Sequence, residues 1–259
     1  MIWQPVSGCS ESCLAGGEDA ARPGVAALRL LRCTGVLLAG LILVPVLRSA
    51  AAPAVSRWVL AALGVRRSWR GPRPRPGTLL VANHVSWLDV VALLAVTPVK
   101  LVAKYEVRGW PGIGSLAAML GAIFLDRSRP RTLPRTVAAV TEQLRAGRSV
   151  AVFPEGTTYC GQTRGRFRPA MFQAAVDAGA PVVPVAIEYD STAAAFVGDD
   201  ALLSSVRRVA ALRSLTVTLV ASPALRPDAG ANRRLLARAA QASIGVGVRP
   251  RAEGLGLAA

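Results

Sequence analysis

Thr78-Leu79-Leu80-Val81-Ala82, then Asn83-His84-Val85-Ser86-Trp87-Leu88-Asp89, then Val90-Val91-Ala92-Leu93-Leu94: the reading of this stretch decides the fold. The first piece reads as a short buried strand and the last as the start of a helix. Between them stands His84, the only histidine of the chain. Five residues on a regular helix turn through roughly 500°, which leaves His84 and Asp89 on different faces. The two meet only if His84 lies in a loop leaving the strand and Asp89 in the first turn of the following helix. Ser86-Trp87-Leu88-Asp89 favours that geometry, because S-x-x-D ahead of an apolar run is a capping-box pattern. Imidazole, with an unperturbed pKa of ~6.5, suits proton acceptance near neutral pH, and Asp89 would orient it. The alternative is that Asp89 only caps the helix and His84 is a polar loop residue.

Outward from this stretch, short runs rich in Val, Ile and Leu alternate with longer helical segments. Strands are expected at 78–82, 99–103, 123–125, 150–153, 182–189 and 215–221. Helices are expected at 87–96, 114–120, 133–146, 169–178 and 232–242. That alternation predicts an α/β fold, a mixed and largely parallel sheet flanked by helices. Sites in such sheets gather at the carboxyl ends of strands, where His84, Lys104, Arg127 and Glu155 all fall.

Net charge is +16 and 52% of residues are hydrophobic, so anionic lipid surfaces and phosphate-bearing substrates are the natural partners, with nucleic acid the other candidate. The basic residues are scattered and aromatics few, which gives no stacking platform for nucleic acid; none is expected as a partner. Arginine dominates. Lys100 and Lys104, the only lysines, both follow the His84 segment closely.

Residues 1–28 read as a flexible tail without a secretory pattern, 29–76 as membrane-associating helices with a basic linker, and 77–259 as the catalytic domain. The uncharged run from Cys33 to Leu47 spans roughly 22 Å as a helix, short of the ~30 Å hydrocarbon core. Together with Val55 to Val65 it predicts two short helices lying in one leaflet, a tilted single span being the alternative. Arg66, Arg67, Arg70, Arg73 and Arg75 would hold the following domain to the cytoplasmic face of the cell membrane.

Cys9, Cys13, Cys33 and Cys160 form no C-x-x-C pair, and one histidine cannot complete a usual zinc set, so no metal site is expected. Cys9 and Cys13 are either a local disulfide or free thiols. Gly112-Ile113-Gly114-Ser115-Leu116-Ala117 follows no strand and is not read as a dinucleotide site, and no G-x-S-x-G nucleophile elbow occurs.

A second constellation, Phe153-Pro154-Glu155-Gly156-Thr157-Thr158, follows the strand Val150-Ala151-Val152. Its glycine lets backbone N–H groups approach a phosphate, and Arg164, Arg166 and Arg168 follow within reach. The alternative is a tight turn with a solvated basic loop.

Asn83-His84-x4-Asp89, then Gly121-Ala122-Ile123-Phe124-Leu125-Asp126-Arg127, then Phe153-Pro154-Glu155-Gly156-Thr157, then Val182-Val183-Pro184-Val185 closely resemble the four ordered blocks of the glycerolipid acyltransferases. This is the lysophosphatidic acid acyltransferase or PlsC-like family, and the resemblance covers about residues 78–190. It implies that His84 is the general base and Asp89 its orienter. It places Arg127, Glu155, Gly156 and Thr157 at the acceptor, with Lys104 a further phosphate contact. The donor implied is acyl-CoA or acyl carrier protein, a co-substrate, with no cofactor. The product would be phosphatidic acid, made from 1-acyl-sn-glycerol-3-phosphate at a membrane surface.

The chain departs from the family where many members read E-G-T-R-S, having Thr158 and Tyr159 instead. A phosphate-binding arginine is absent from its usual place, and Arg164 or Arg166 would have to replace it. E-G-T-T variants occur among relatives that acylate lyso-ornithine lipid, which makes that lysolipid the alternative acceptor. Outside this chemistry, a non-catalytic basic membrane protein and a thioesterase using His84 and Asp89 on water are the competing readings.

Overall fold

The computed structural model describes residues 5–14, 20–47 and 50–246. Seven strands, β1 (Val65–Arg70), β2 (Leu79–Ala82), β3 (Lys100–Lys104), β4 (Ile123–Leu125), β5 (Val150–Val152), β6 (Val182–Tyr189) and β7 (Leu215–Ala221), form one sheet. Their order is β1-β7-β6-β2-β5-β3-β4. Every neighbouring pair is parallel except β6 with β7. The six strands expected from the sequence all form, with ends shifted by no more than one residue.

β2 explains why the sheet must be covered on both sides. All four of its residues are buried, and alternate side chains serve opposite faces. Leu80 and Ala82 join one core with Val55, Val59, Leu60, Leu88 and Leu93. Leu79 and Val81 join the other with Val140, Leu144, Phe172, Ala240 and Ile244. The first face is covered by helices α2 (Ala52–Ala62), α3 (Leu88–Val96) and, further along the chain, Leu202–Ala211. The second is covered by Leu133–Arg145, Phe172–Ala178 and Arg233–Val246.

In chain order, the remaining helices are α1 (Pro23–Leu47), α4 (Ile113–Met119), α5 (Leu133–Arg145), α6 (Phe172–Ala178), α7 (Leu202–Ala211) and α8 (Arg233–Val246). Pro184 lies within β6, where a proline removes a ladder donor. It is tolerated because the partner strand has ended at Ala221, and only the Pro184 carbonyl is used there, accepting from the Ser222 N–H at 2.9 Å.

Several N-terminal expectations are corrected. Instead of two short interfacial helices, α1 is one helix of 25 residues, long enough at ~1.5 Å per residue to cross a bilayer. Arg29 and Arg32 do not end it, because arginine is a good helix former. The Arg29 guanidinium donates to the carbonyls of Ala210 and Leu212 at 3.1 and 2.5 Å, at the end of α7. Leu31, Leu38, Ile42 and Val46 are exposed along α1. The second apolar piece belongs to the core: in α2 Val55, Val59 and Leu60 are buried against the sheet and α3. Arg66, Arg67 and Arg70 are not linker but belong to β1, an edge strand that suits charged side chains. The fold therefore reaches back across the boundary expected at residue 77.

Within the expected tail, residues 1–4 and 15–19 lie outside the described residues, as do 247–259 at the other end. Of the remainder, Cys9 is buried, Ala20 bridges Leu212, and α1 already begins at Pro23.

Because α2 is core, Leu60→Ala should lower the stability of the detergent-solubilised protein by about 2–5 kcal/mol. Ile42→Ala, at a side chain 72% exposed on α1, should change it by less than ~0.5 kcal/mol. Denaturant midpoints measure both.

Candidate functional site

β2, β5, β3 and β4 are neighbours and run in one direction, so the loops after them converge at one end of the sheet. His84 leaves β2, Glu155 leaves β5, Arg127 leaves β4, and Lys104 ends β3.

The turn after β2 is fixed from its first residue. The Asn83 amide donates to the Ile187 carbonyl at 2.9 Å and accepts from the Ile187 N–H at 2.7 Å, extending the ladder with a side chain. The chain then turns, and α3 starts at Leu88 with Asp89 in its first turn. His84 Nδ1 lies 2.8 Å from Asp89 Oδ2. The same oxygen accepts the N–H groups of Val85 and Ser86 at 2.6 and 2.9 Å. One oxygen thus both fixes the turn ahead of α3 and orients the imidazole. Its other oxygen accepts from the Tyr189 hydroxyl at 2.6 Å. Asp89 has no exposed surface. Burial, then the Asp89 charge, raises the Tyr189 pKa well above its ordinary value, so the phenol stays a donor.

An ionised carboxylate only accepts hydrogen bonds, so the proton of the shared bond belongs to Nδ1 and the lone pair to Nε2. The imidazole is 20% exposed and stacks on Phe153, with centroids 4.1 Å apart and planes 18° apart. This leaves a base held from behind and by one face, with solvent access elsewhere.

Glu155 behaves differently from its expected position at the acceptor. Its carboxylate turns into the protein, taking the His84 N–H at 2.6 Å and the Gly165 N–H at 2.8 Å. It is 2% exposed, and burial pushes its pKa up to about 7. The Tyr159 N–H donates to the His84 carbonyl at 2.8 Å, so the backbone of His84 is gripped from both sides by the loop after β5.

Gly156 sits at φ 78°, and a Cβ there would come within 2.7 Å of Pro5. Glycine is required for both reasons. Its carbonyl accepts from Arg127, which ties the Arg127 loop to the Glu155 loop. Thr157 lies half-buried beside it. Lys104 is close enough to Arg127 to feel its charge; burial first and Arg127 second lower the Lys104 pKa.

The arginines expected as replacements, Arg164 and Arg166, take different places beside the Glu155 loop. Arg164 donates to the Ile244 carbonyl at 3.3 Å, in α8. Arg166 lines a cavity of about 550 Å³ with Glu155, Tyr159, Arg168 and, from α8, Arg234 and Arg238. Arg168, the third arginine of that basic run, lies within the electrostatic reach of Arg127 and packs 3.7 Å from the Gly156 Cβ position. Its place in the basic run Arg164, Arg166, Arg168 after the Glu155 turn is the signal the sequence carries. Thr158 turns away, donating to the Phe196 carbonyl. Phe196 in turn donates its N–H to the Val85 carbonyl at 2.9 Å, making 193–200 a third loop around His84. Arg208 on α7 fastens that loop through Ala193, Ala195 and Asp200. None of these backbone contacts has a sequence signature.

Residues 66–188 match the family model described as Acyltransferase, which begins within β1. A 1-acyl-sn-glycerol-3-phosphate acyltransferase of Neisseria meningitidis serogroup B is 37% identical over 180 residues, 67% of this chain and 71% of that protein. A lyso-ornithine lipid O-acyltransferase of Pseudomonas aeruginosa is 37% identical over 201 residues, 73% of this chain and 76% of that protein. The crystal structure of the 1-acyl-sn-glycerophosphate acyltransferase PlsC from Thermotoga maritima shares the fold. Its TM-score is 0.57 at 21% identity, covering 85% of this chain and 95% of that one.

Glu155 binds its proton more tightly when folded, near pH 7, than its ordinary value of 4.5 allows. The folded state therefore holds more protons between those limits, and its Glu155 contribution to stability is lost as pH rises through about 7. Unfolding free energy measured against pH should fall across that window by up to ~1.4 kcal/mol per pH unit from this group. Glu155→Gln should flatten that fall.

Proposed function

The chain belongs to the acyltransferase family, and from that premise we propose that it acylates the free hydroxyl of 1-acyl-sn-glycerol-3-phosphate. The donor is an acyl thioester of coenzyme A or acyl carrier protein, and the product is phosphatidic acid. The observation that carries this reading is the 2.8 Å contact between His84 Nδ1 and the buried Asp89, which leaves Nε2 as an oriented base.

Nε2 takes the hydroxyl proton as the oxygen attacks the thioester carbonyl. The C–O bond forms, the C–S bond breaks, and the proton passes to the departing thiolate. Asp89 stays ionised and holds the imidazolium formed on the way. No covalent intermediate on the protein is required. A positioned base supplies about 10²–10⁴ in rate, and orientation of both substrates supplies much of the rest.

Lys104, Arg127 and Arg168 provide positive charge for the acceptor's phosphate at the same end of the sheet. Gly156, whose carbonyl accepts from Arg127, joins that charge to the loop whose Glu155 holds the His84 backbone. Glu155 acts on the acceptor indirectly, by fixing the backbone of His84. The apolar helix α4, which packs against α1, would line a groove for the acyl chain. The membrane association expected of a lipid-modifying enzyme fits the exposed apolar side chains of α1, and the basic residues of β1 favour the cytoplasmic face of the cell membrane.

Thr158 supports a second acceptor, lyso-ornithine lipid. It stands where a phosphate-binding arginine is usual, and the similarity to the Pseudomonas aeruginosa lyso-ornithine enzyme is as high as that to the Neisseria one.

His84→Ala should lower transfer by at least ~10² while leaving the protein in the membrane fraction. Normal turnover by that variant would overturn the mechanism. In a radiolabelled acyl-CoA assay against a panel of lysolipids, 1-acyl-sn-glycerol-3-phosphate should be the preferred acceptor. Indifference to it alongside turnover of lyso-ornithine lipid would select the second acceptor. Arg127→Ala should raise the KM for the phosphate-bearing acceptor more than it lowers kcat.

A further inference from the structure

Cys9, Cys13 and Cys160 come together although 151 residues separate the first from the last. Their three Sγ atoms lie within 4.8 Å of one another. Cys9 and Cys160 are buried and Cys13 is half-buried. All are free thiols. The Thr163 hydroxyl lies 3.1 Å from the Cys9 sulfur and 3.7 Å from that of Cys160. The Cys160 N–H donates to the Cys9 sulfur at 3.3 Å. Val85, Ala195 and Val197 close the apolar side of the cluster.

We propose that Cys9, Cys13 and Cys160 form a three-thiolate site for a thiophilic d10 cation, Zn²⁺ or Cu⁺, that fastens the N-terminal segment to the loop after β5. Among the described residues, no histidine or carboxylate joins the three sulfurs, so the donor set is wholly soft, which disfavours Mg²⁺ and Ca²⁺ and selects Zn²⁺ or Cu⁺.

The spacing fits such an ion. Zinc–thiolate bonds of ~2.3 Å in a tetrahedron place sulfurs ~3.8 Å apart, so the cluster needs to contract by at most about 1 Å. Three thiolates leave a fourth zinc position for water or the Thr163 hydroxyl, whereas Cu⁺ accepts three sulfurs alone. Each thiol loses its proton to solvent as the ion binds, so binding strengthens as pH rises.

The position gives the site a consequence. Cys160 stands four residues after Gly156, and Val85, against the cluster, follows His84. Pro5 of the same N-terminal segment lies over Gly156. An ion bound here would lock this segment over the Gly156 loop.

The test uses the full chain, purified in detergent with a non-thiol reductant and then loaded separately with Zn²⁺ and, anaerobically, with Cu⁺. After desalting, elemental analysis should find one equivalent of one of these ions, and Cd²⁺ should give a thiolate charge-transfer absorption. Loading should protect three thiols from maleimide and residues 5–14 from protease. Cys13→Ser, at the least buried of the three, should lose the retained ion while keeping its thermal transition. Cys33→Ser, in α1 and outside the cluster, should retain it. Absence of retained ion in both arms, or equal retention by Cys13→Ser, would overturn the proposal. So would a disulfide among these cysteines in the protein as isolated. None of these readouts depends on acyl transfer, so the site stands or falls separately from the proposed reaction.

Discussion

The carboxylate of Asp89 accepts four hydrogen bonds with no exposed surface. The four partners serve three structural tasks. Two N–H groups shape the turn after β2, the imidazole of His84 is aimed, and Tyr189 brings in the end of β6. A buried carboxylate is costly unless it is fully hydrogen-bonded, and here the bonds come from every side of the turn. The turn, the first turn of α3 and the end of β6 are thereby specified together, since moving any one strands a buried charge. Asn83 makes the same point with a neutral side chain, bonding both backbone groups of Ile187.

Around this centre the three loops are interlocked by backbone contacts. Glu155 spans from the loop after β5 to His84, Arg127 spans from the loop after β4 to Gly156, and Phe196 links Val85 to Thr158. The arrangement is preorganised in the sense that matters for a base: its ring rests on Phe153 and its backbone is held on both sides.

What was legible in the sequence followed the strength of the local signal. The run 78–82, the lone histidine and the S-x-x-D start placed His84 at a strand end and Asp89 in a helix, because period and capping chemistry are local properties. The central strands β2, β5 and β6 were legible because burial on both faces leaves nearly uninterrupted apolar runs. β1 was hidden because an edge strand tolerates arginines that also suit a linker. The burial of α2 was hidden because a mostly apolar helix reads alike whether lipid or protein covers it. α7 was hidden by its mixed face of Arg207, Arg208 and small residues. Motif order put Glu155 at the site, but the direction of its carboxylate depends on Gly165 and His84 backbone groups that no residue pattern encodes. The approach of Cys9 to Cys160 was equally invisible, since contacts across such a separation are set by the whole fold.

The bonds from Arg29 to the end of α7 give α1 a mechanical meaning. A free transmembrane helix adjusts its tilt to the thickness of the bilayer independently of the domain it carries. Here the start of the helix is clamped to Ala210 and Leu212, and its middle rests on α2 at Gly40. Tilt in lipid would then be transmitted as rotation of the whole domain against the headgroups.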